Sequence, residues 1–308
     1  MSPSLREIRM FVAVYEERSF TQAADREHAT QSGVSQHVHN IEERMGVQLF
    51  SRQKGVRPTP AGEAYYRRCI EVLKALTRAG RTLDEFAPGL AGELVVGLMP
   101  TMTRSQLSIA FMRFNAQHPN VAVRIIEAYS GVLTGRVSAG ELDFAIVPRN
   151  LQVVIGIKTS PFVATPEFMV SCLDSGWTHG TAVRAEDLQG MKLVVPGPAN
   201  VRRATIERYL SDNDVQIGRK VEFDSMFATL DLVTRSDWKA ILPGILIAEE
   251  IARPARRFNV HLLVQPALQL ELMLIEPQRQ MMSAAASAFL ETLRQVTQEQ
   301  TPLPTSPI

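Results

Sequence analysis

A chain of 308 residues is long enough for two or three domains of ~100–200 residues each. At 45% apolar and 21% charged it has the make-up of an ordinary globular protein, which excludes a largely disordered chain. The formal net charge of +1 gives no global pull toward nucleic acid, so any basic surface has to be local.

The two cysteines, Cys69 and Cys172, stand far apart, which argues against a disulfide framework. No run of ~18 apolar residues occurs, so no membrane span and no membrane partner are expected. The opening "MSPSLREIRMFVAVYEERSF" lacks the basic start, apolar core and cleavage site of a signal peptide, and the expected location is the cytoplasm.

Leu5, Ile8, Phe11, Val12 and Tyr15 recur at helical spacing and predict a first amphipathic helix. Ser19 or Thr21 can cap a short second helix holding Ala23 and Ala24, whose small side chains allow close packing. "HATQ" (His28–Gln31) interrupts the pattern. A third helix follows with Val34, Val38, Ile41 and Met45 on one stripe. From His28 to Ile41 there is no Lys, Arg, Asp or Glu. With the stripe buried, Ser32, Ser35, Gln36 and His39 share the opposite face. Such a face can read base edges without setting carboxylates against phosphates. Two short helices with the second turned outward make a helix-turn-helix. A merely solvated helix would be expected to carry Lys and Glu there instead.

"SRQKGVRPTPAG" (Ser51–Gly62) places Arg52, Lys54 and Arg57 around Gly55, the pattern of a basic hairpin that clamps phosphates. Thr59 and Pro60 then signal a helix start. From there Tyr65, Cys69, Val72, Leu76, Ala79, Leu83 and Phe86 form an apolar seam that stops at Pro88-Gly89. The seam either packs on its own domain or pairs with a second copy. Cys69 on that seam reads as a small buried apolar residue.

The stretches "FVAVYEERSFTQAA", "TQSGVSQHVHNIEERMGVQLFSR" and "VRPTPAGE" resemble, in order and spacing, the DNA-binding domain of the LysR-type transcriptional regulators. The remainder, from "GELVVGLMP" to "AFLETLR", resembles the family's effector domain more loosely. The resemblance implies an N-terminal all-α winged helix-turn-helix (1–60) and a dimerising linker helix (61–89). It also implies an α/β two-lobed, periplasmic-binding-protein-like effector domain (90–300). Lobe one would be 90–162 with 268–300, and lobe two 163–267. Carried over by position, the reading helix is Ser32–Met45 and the wing Arg52–Thr59. DNA contact then falls to Thr21, Gln31, Ser32, Ser35, Gln36, His37, His39, Arg52, Lys54 and Arg57. The family often has an Arg near the position of Gln36, so base contact here leans on Gln36, Ser32 and His37 more than on Arg. The implied partners are double-stranded promoter DNA, a small-molecule effector, RNA polymerase and further copies in a homodimer or homotetramer.

In the C-terminal region "ELVVGLM", "VAVRIIEA", "LDFAIVP", "EFMVSCL", "MKLVVP", "KVEFD", "WKAILP" and "LELMLI" read as strands between helical stretches. Crossings between lobes are expected near Ser160–Thr165 and Gln265–Gln269. Ligands in such folds sit at strand C-terminal ends. That places Thr101, Thr103, Ser130, Gly131, Asn200, Arg202 and Phe227 at the effector site. Hydroxyls with arginine point to an organic anion, a small organic acid. The residues at helix starts can equally be simple caps. An expected tail, 301–308, is rich in proline and disordered.

An enzyme is not expected. His28, His37, His39, His118, His179 and His261 show no metal-ligand spacing, and no G-x-S-x-G, P-loop or dinucleotide fingerprint occurs. No metal or cofactor is expected. The rivals are a solute receptor, an architectural DNA-binding protein and a ligand-independent regulator of the same fold.

Overall fold

The computed structural model describes residues 2–51, 55–84, 90–150, 154–198, 200–252, 256–278 and 281–300. The chain forms two compact units, Met1–Leu83 and Asp84–Ile308. The expected helix stop at Pro88-Gly89, the seam residue Phe86 and the tail 301–308 lie outside the described residues.

In the first unit, α1 (Leu5–Glu17) starts at a reciprocal cap. The Glu7 N–H donates to Ser4 Oγ at 3.3 Å, and the Ser4 N–H donates to Glu7 Oε2 at 2.7 Å. The cap of α2 (Phe20–Arg26) is Ser19, not Thr21. Thr30 caps α3 (Gln31–Met45) by accepting the Gly33 N–H at 3.1 Å, and Gly46 ends it at φ +66°. Ala23 and Ala24 are buried in the core with Phe11, Val14, Val34, Val38 and Ile41. Their small side chains bring the helix axes together.

The expected stripe on α3 needs one correction. Met45 is 46% exposed, and the buried position of the last turn is Glu42. The reason is chemical: the Glu42 carboxylate has backbone donors to meet inside.

A short antiparallel hairpin follows, β1 (Phe50–Ser51) against β2 (Arg57–Pro58). Next comes the long helix α4 (Pro60–Asp84). Tyr65, Tyr66, Cys69, Ile70 and Leu73 hold it to the first unit's core, and Tyr66 stacks on Tyr15 with ring centroids 3.9 Å apart. The seam therefore divides. Tyr65 and Cys69 turn inward, while Val72 and Leu76 are 42% and 37% exposed. Burial pushes the Cys69 thiol up to about 11, which keeps it protonated and unreactive.

The second unit is α/β with two lobes. In lobe one β3 (Gly92–Leu98) lies between β4 (Val121–Glu127) and the later β5 (Phe144–Pro148), all parallel. The short α5 (Pro100–Thr103) and α6 (Gln106–Gln117) follow β3, and α7 (Ser130–Ser138) follows β4. The chain crosses on β6 (Ile157–Ser171), a single unbroken strand. Lobe two then adds β7 (Val183–Arg184), β8 (Lys192–Val195), α8 (Val201–Asp212), β9 (Arg219–Glu222), α9 (Met226–Arg235) and β10 (Lys239–Pro243). It closes with α10 (Gly244–Ala252) and β11 (Asn259–Val264). The chain returns to lobe one through β12 (Gln269–Pro277), antiparallel to β5 and β6, and ends in α11 (Ala284–Gln300).

Alternation along β3 explains the layering. Leu94, Val96 and Leu98 face α6 and α11, where Phe114 meets Phe289 edge-on at 5.2 Å. Val95 faces the other side, toward Leu133 and Val137 of α7. In lobe two, α8 covers one sheet face, and α9 and α10 cover the other.

Strand β6 pairs with β12 as far as Pro166, then with β10 from Glu167 and with β11 from Phe168. The hand-over between lobes thus lies at Pro166–Glu167, beyond the 162/163 boundary expected from sequence. A strand carries the chain across, so no loop signal marked the point. The joint is bonded on both sides: the Ile245 N–H donates to Thr165 Oγ1 at 3.0 Å, and Gln106 Nε2 donates to the Ile245 carbonyl at 2.8 Å.

Candidate DNA-reading surface and effector cleft

On α3 the residues Gln31, Ser32, Ser35, Gln36 and His39 are exposed, opposite the buried Val34, Val38 and Ile41. The outer face therefore offers hydroxyl, amide and imidazole groups and no charge in its N-terminal half. Gln36 Nε2 donates to Asn40 Oδ1 at 2.8 Å, which ties the amide down along the helix. His37 is a different case. It is half-buried, and its Nδ1 is enclosed with no partner. It sits toward the flank of the helix, off the face that carries the other residues. Thr21 is exposed on α2.

Glu42 and Arg44, which the reading of base contacts left aside, hold this surface in place. Glu42 Oε1 accepts the N–H groups of Leu49 at 2.7 Å and Phe50 at 3.1 Å, so the end of α3 fixes the first strand of the hairpin. Arg44 donates to Glu7 Oε1 at 2.6 Å, tying α3 to α1. That guanidinium hydrogen bond holds the Glu7 carboxyl well below the usual range, at about 2. Arg44 is thereby engaged inside the unit. The one sequence signal for Glu42 was its i+4 relation to Val38, which continues the buried stripe.

The second strand of the hairpin is tied to the start of α4. Thr59 Oγ1 donates to the Gln48 carbonyl at 2.7 Å and accepts the Gly62 N–H at 3.1 Å. A Cβ at Gly62 would lie 2.2 Å from the Leu49 carbonyl oxygen, so only glycine fits. This explains the "TPAG" stretch. Arg57 is exposed on β2, in register with Ser51. Arg52 and Lys54 lie outside the described residues. An open groove of about 440 Å³ runs between α3 and the hairpin, lined in part by Ser35, His39, Ser51 and Gly55.

In the second unit, the parallel strands of both lobes end beside the residues assigned to the effector. Thr101 is 1% exposed, and its hydroxyl has no partner. The Thr103 hydroxyl donates to the Glu127 carboxylate. Ser130 and Gly131 open α7, which Tyr129 precedes without a side-chain cap. Asn200 caps α8: its Oδ1 accepts the Arg202 N–H at 3.1 Å. Phe227 is 74% exposed at the start of α9.

Arg202 is a correction. It is 2% exposed, and its Nε and Nη2 donate to Glu167 at 2.8–3.1 Å, with Nη2 also donating to the Ile241 carbonyl at 3.0 Å. A guanidinium so enclosed holds the α8 start to the hinge strand and does not face a ligand. Its neighbour Arg203 is engaged by Glu207 at 2.9 Å and by Glu222. Burial, and then the negative field of Asp224 and Glu127, pushes the Tyr129 phenol up; Arg202 opposes this.

An uncharged reading helix beside an anchored hairpin, on a chain whose other unit is a two-lobed α/β fold, defines a DNA-binding transcriptional regulator with a ligand-binding domain. Residues 5–63 match the family model for the bacterial regulatory helix-turn-helix protein, lysR family, and residues 87–298 match the LysR substrate binding domain. The chain belongs to the LysR family, whose members are regulators and not enzymes. It is 25% identical over 295 residues to the HTH-type transcriptional regulator YfeR of Shigella flexneri, covering 96% of this chain and 94% of that one. It is 37% identical over 141 residues to the regulator BudR of Klebsiella aerogenes, covering 45% of this chain and 99% of that one. Among solved structures, a full-length OxyR variant of Pseudomonas aeruginosa aligns with TM-score 0.71 at 23% identity, covering 95% of this chain and 98% of that chain. CbnR in complex with its target DNA aligns with TM-score 0.69 at 20% identity, covering 95% and 99%. These two likenesses concern the fold.

Proposed function

We propose that the protein binds a specific promoter through α3 and the hairpin, and that a small molecule in the interlobe cleft alters promoter activity. The observation that carries this is the charge-free N-terminal half of the outer face of α3, held in place by Glu42 on the hairpin backbone and by Arg44 on Glu7. Gln31, Ser32, Ser35, Gln36 and His39 meet base edges, while Thr21 and Arg57 meet phosphates, with Arg52 and Lys54 adding to the basic wing. On α4 Val72 and Leu76 are exposed, and Leu76 lines a groove of about 490 Å³ with Leu5, Arg6, Arg9, Met10 and Glu27. A second copy covering this surface gives a homodimer, and pairs of dimers a homotetramer, with two half-sites read at once.

Effector binding shifts the balance of states only by its differential affinity for them, and the shift is read as DNA bending or contact with RNA polymerase. In this reading Thr101, Thr103, Ser130, Gly131, Asn200 and Phe227, at the strand ends of the two lobes, contribute to the effector site. The small organic acid expected from sequence finds no free guanidinium at Arg202 or Arg203. A ligand-independent regulator is the alternative.

The test is a gel-shift titration on the DNA just upstream of the protein's own gene and on a genomic fragment library, with random competitor and varied salt. Tight, competitor-resistant binding to some fragment is the expected result. Binding lost equally to random DNA on every fragment contradicts the reading.

A further inference from the structure

We propose that the cleft takes a cationic effector, a small amine, amidine or guanidine, held between Glu127 of lobe one and Asp224 of lobe two. This rests on the reading of the cleft as the effector site and goes against the usual pairing of hydroxyl-rich clefts with anions.

The argument is one of unmatched charge. Glu127 closes β4, and the partner it shows is the Thr103 hydroxyl. Asp224 follows β9, and its Oδ1 accepts the Gly197 N–H at 2.9 Å. Among the described residues neither carboxylate has a cation within salt-bridge reach. The arginines at these strand ends are engaged elsewhere. Arg104 pairs with Glu250 at 3.1 Å, Arg149 with Glu271 at 2.6 Å, Arg202 with Glu167, and Arg203 with Glu207 and Glu222. Two exposed carboxylates thus stand at the C-terminal ends of parallel strands, one in each lobe, with no counter-ion among the described residues.

Asp224 is also held close to the loop after β8. A Cβ on Gly197 would come within 2.5 Å of the Asp224 carboxylate, so the glycine lets that group approach the loop backbone. Thr101 adds an enclosed hydroxyl without a partner at the same end of lobe one as Glu127, able to accept from an N–H. The competing feature is the N-terminus of α7, which carries roughly half a positive charge. That is small against two carboxylates, each of which gains from an ammonium partner as water is excluded.

The experiment uses the full chain and matched probes that differ in charge: putrescine against succinate, and benzylammonium against benzoate, each at millimolar concentration. The readout is the thermal midpoint and the dissociation constant for the wild type, Asp224→Asn, Glu127→Gln and Thr101→Val. Both acids are exposed, so neutral variants keep the fold. The expected result is stabilisation by an ammonium probe, weakened about tenfold or more in both Asp224→Asn and Glu127→Gln. Stabilisation by a carboxylate probe that is lost in Thr101→Val keeps the cleft as the effector site and overturns the charge assignment. Ammonium binding unchanged in both acid variants places the ligand elsewhere and overturns the cleft reading too. Failure of every ammonium probe to stabilise the wild type overturns the proposal.

Discussion

The outer face of α3 and the facing ends of the two lobes handle charge in opposite ways. In the first unit two acids next to the reading helix turn inward, Glu7 on Arg44 and Glu42 on the backbone of Leu49 and Phe50, and the N-terminal half of the exposed face is left neutral. In the second unit Arg104, Arg149, Arg202 and Arg203 are paired with carboxylates, and Glu127 and Asp224 are left exposed at strand ends of the two lobes without a salt bridge among the described residues. Charge left unpaired at a surface describes what that surface meets. A neutral hydrogen-bonding face beside a basic wing suits DNA, whose phosphates repel carboxylates. Exposed carboxylates beside neutralised arginines suit a small cation.

The largest expected effect comes from breaking the inward pairing of the second unit. Arg202→Met leaves Glu167 buried and unpaired, and should cost about 3–5 kcal/mol of that unit's stability in urea unfolding. A loss below about 1 kcal/mol would mean that Arg202 is free to meet ligand after all, and the contrast between units would weaken.

The same unit should also lose stability in acid through His261. This side chain is fully buried, between Ser171 Oγ at 3.0 Å and Thr181 Oγ1 at 3.1 Å. Burial, reinforced by His179, lowers its pKa from the ordinary 6.5 to about 4. The unfolded chain therefore takes up a proton that the folded chain refuses. Stability is full above pH 6.5 and falls as the pH drops from 6.5 toward 4, by up to about 3 kcal/mol. Urea unfolding at stepped pH should show this slope, and His261→Gln should flatten it. An unchanged slope in that variant would assign the effect to another group.

A smaller effect is expected at the framework of the first unit. Glu42→Ala leaves the N–H groups of Leu49 and Phe50 without their acceptor and should cost on the order of 1–3 kcal/mol. DNA affinity should fall with it, because the hairpin loses its anchor to the reading helix. Full affinity in this variant would separate the hairpin from DNA binding.

These contrasts also show what the amino-acid sequence could and could not reveal. The reading face was legible because a helix repeats locally: Val34, Val38 and Ile41 fix the inner side, and the outer side follows. The hairpin was legible from the cations around Gly55 and the start of α4 from Thr59 and Pro60, whereas the task of Gly62 shows only where the fold brings it against the Leu49 carbonyl. Met45 was misplaced because periodicity sees apolarity and not the backbone donors that draw Glu42 inward. Arg202 was misassigned because its partner lies 35 positions earlier, on a strand whose role in joining the lobes no local signal marks. The cleft's charge was illegible for the same reason: free and paired acids look alike until the fold brings their partners together.

The most direct measurement is the binding of wild type and Gln36→Ala to a specific operator fragment and to random DNA of equal length, across a salt series, with Arg57→Ala as the contrast. The account predicts that Gln36→Ala loses about 1–3 kcal/mol on the operator and nothing on random DNA, at unchanged salt slope. Arg57→Ala should weaken both and reduce the slope by about one. An equal loss on both DNAs for Gln36→Ala would contradict the claim that the neutral face of α3 reads bases.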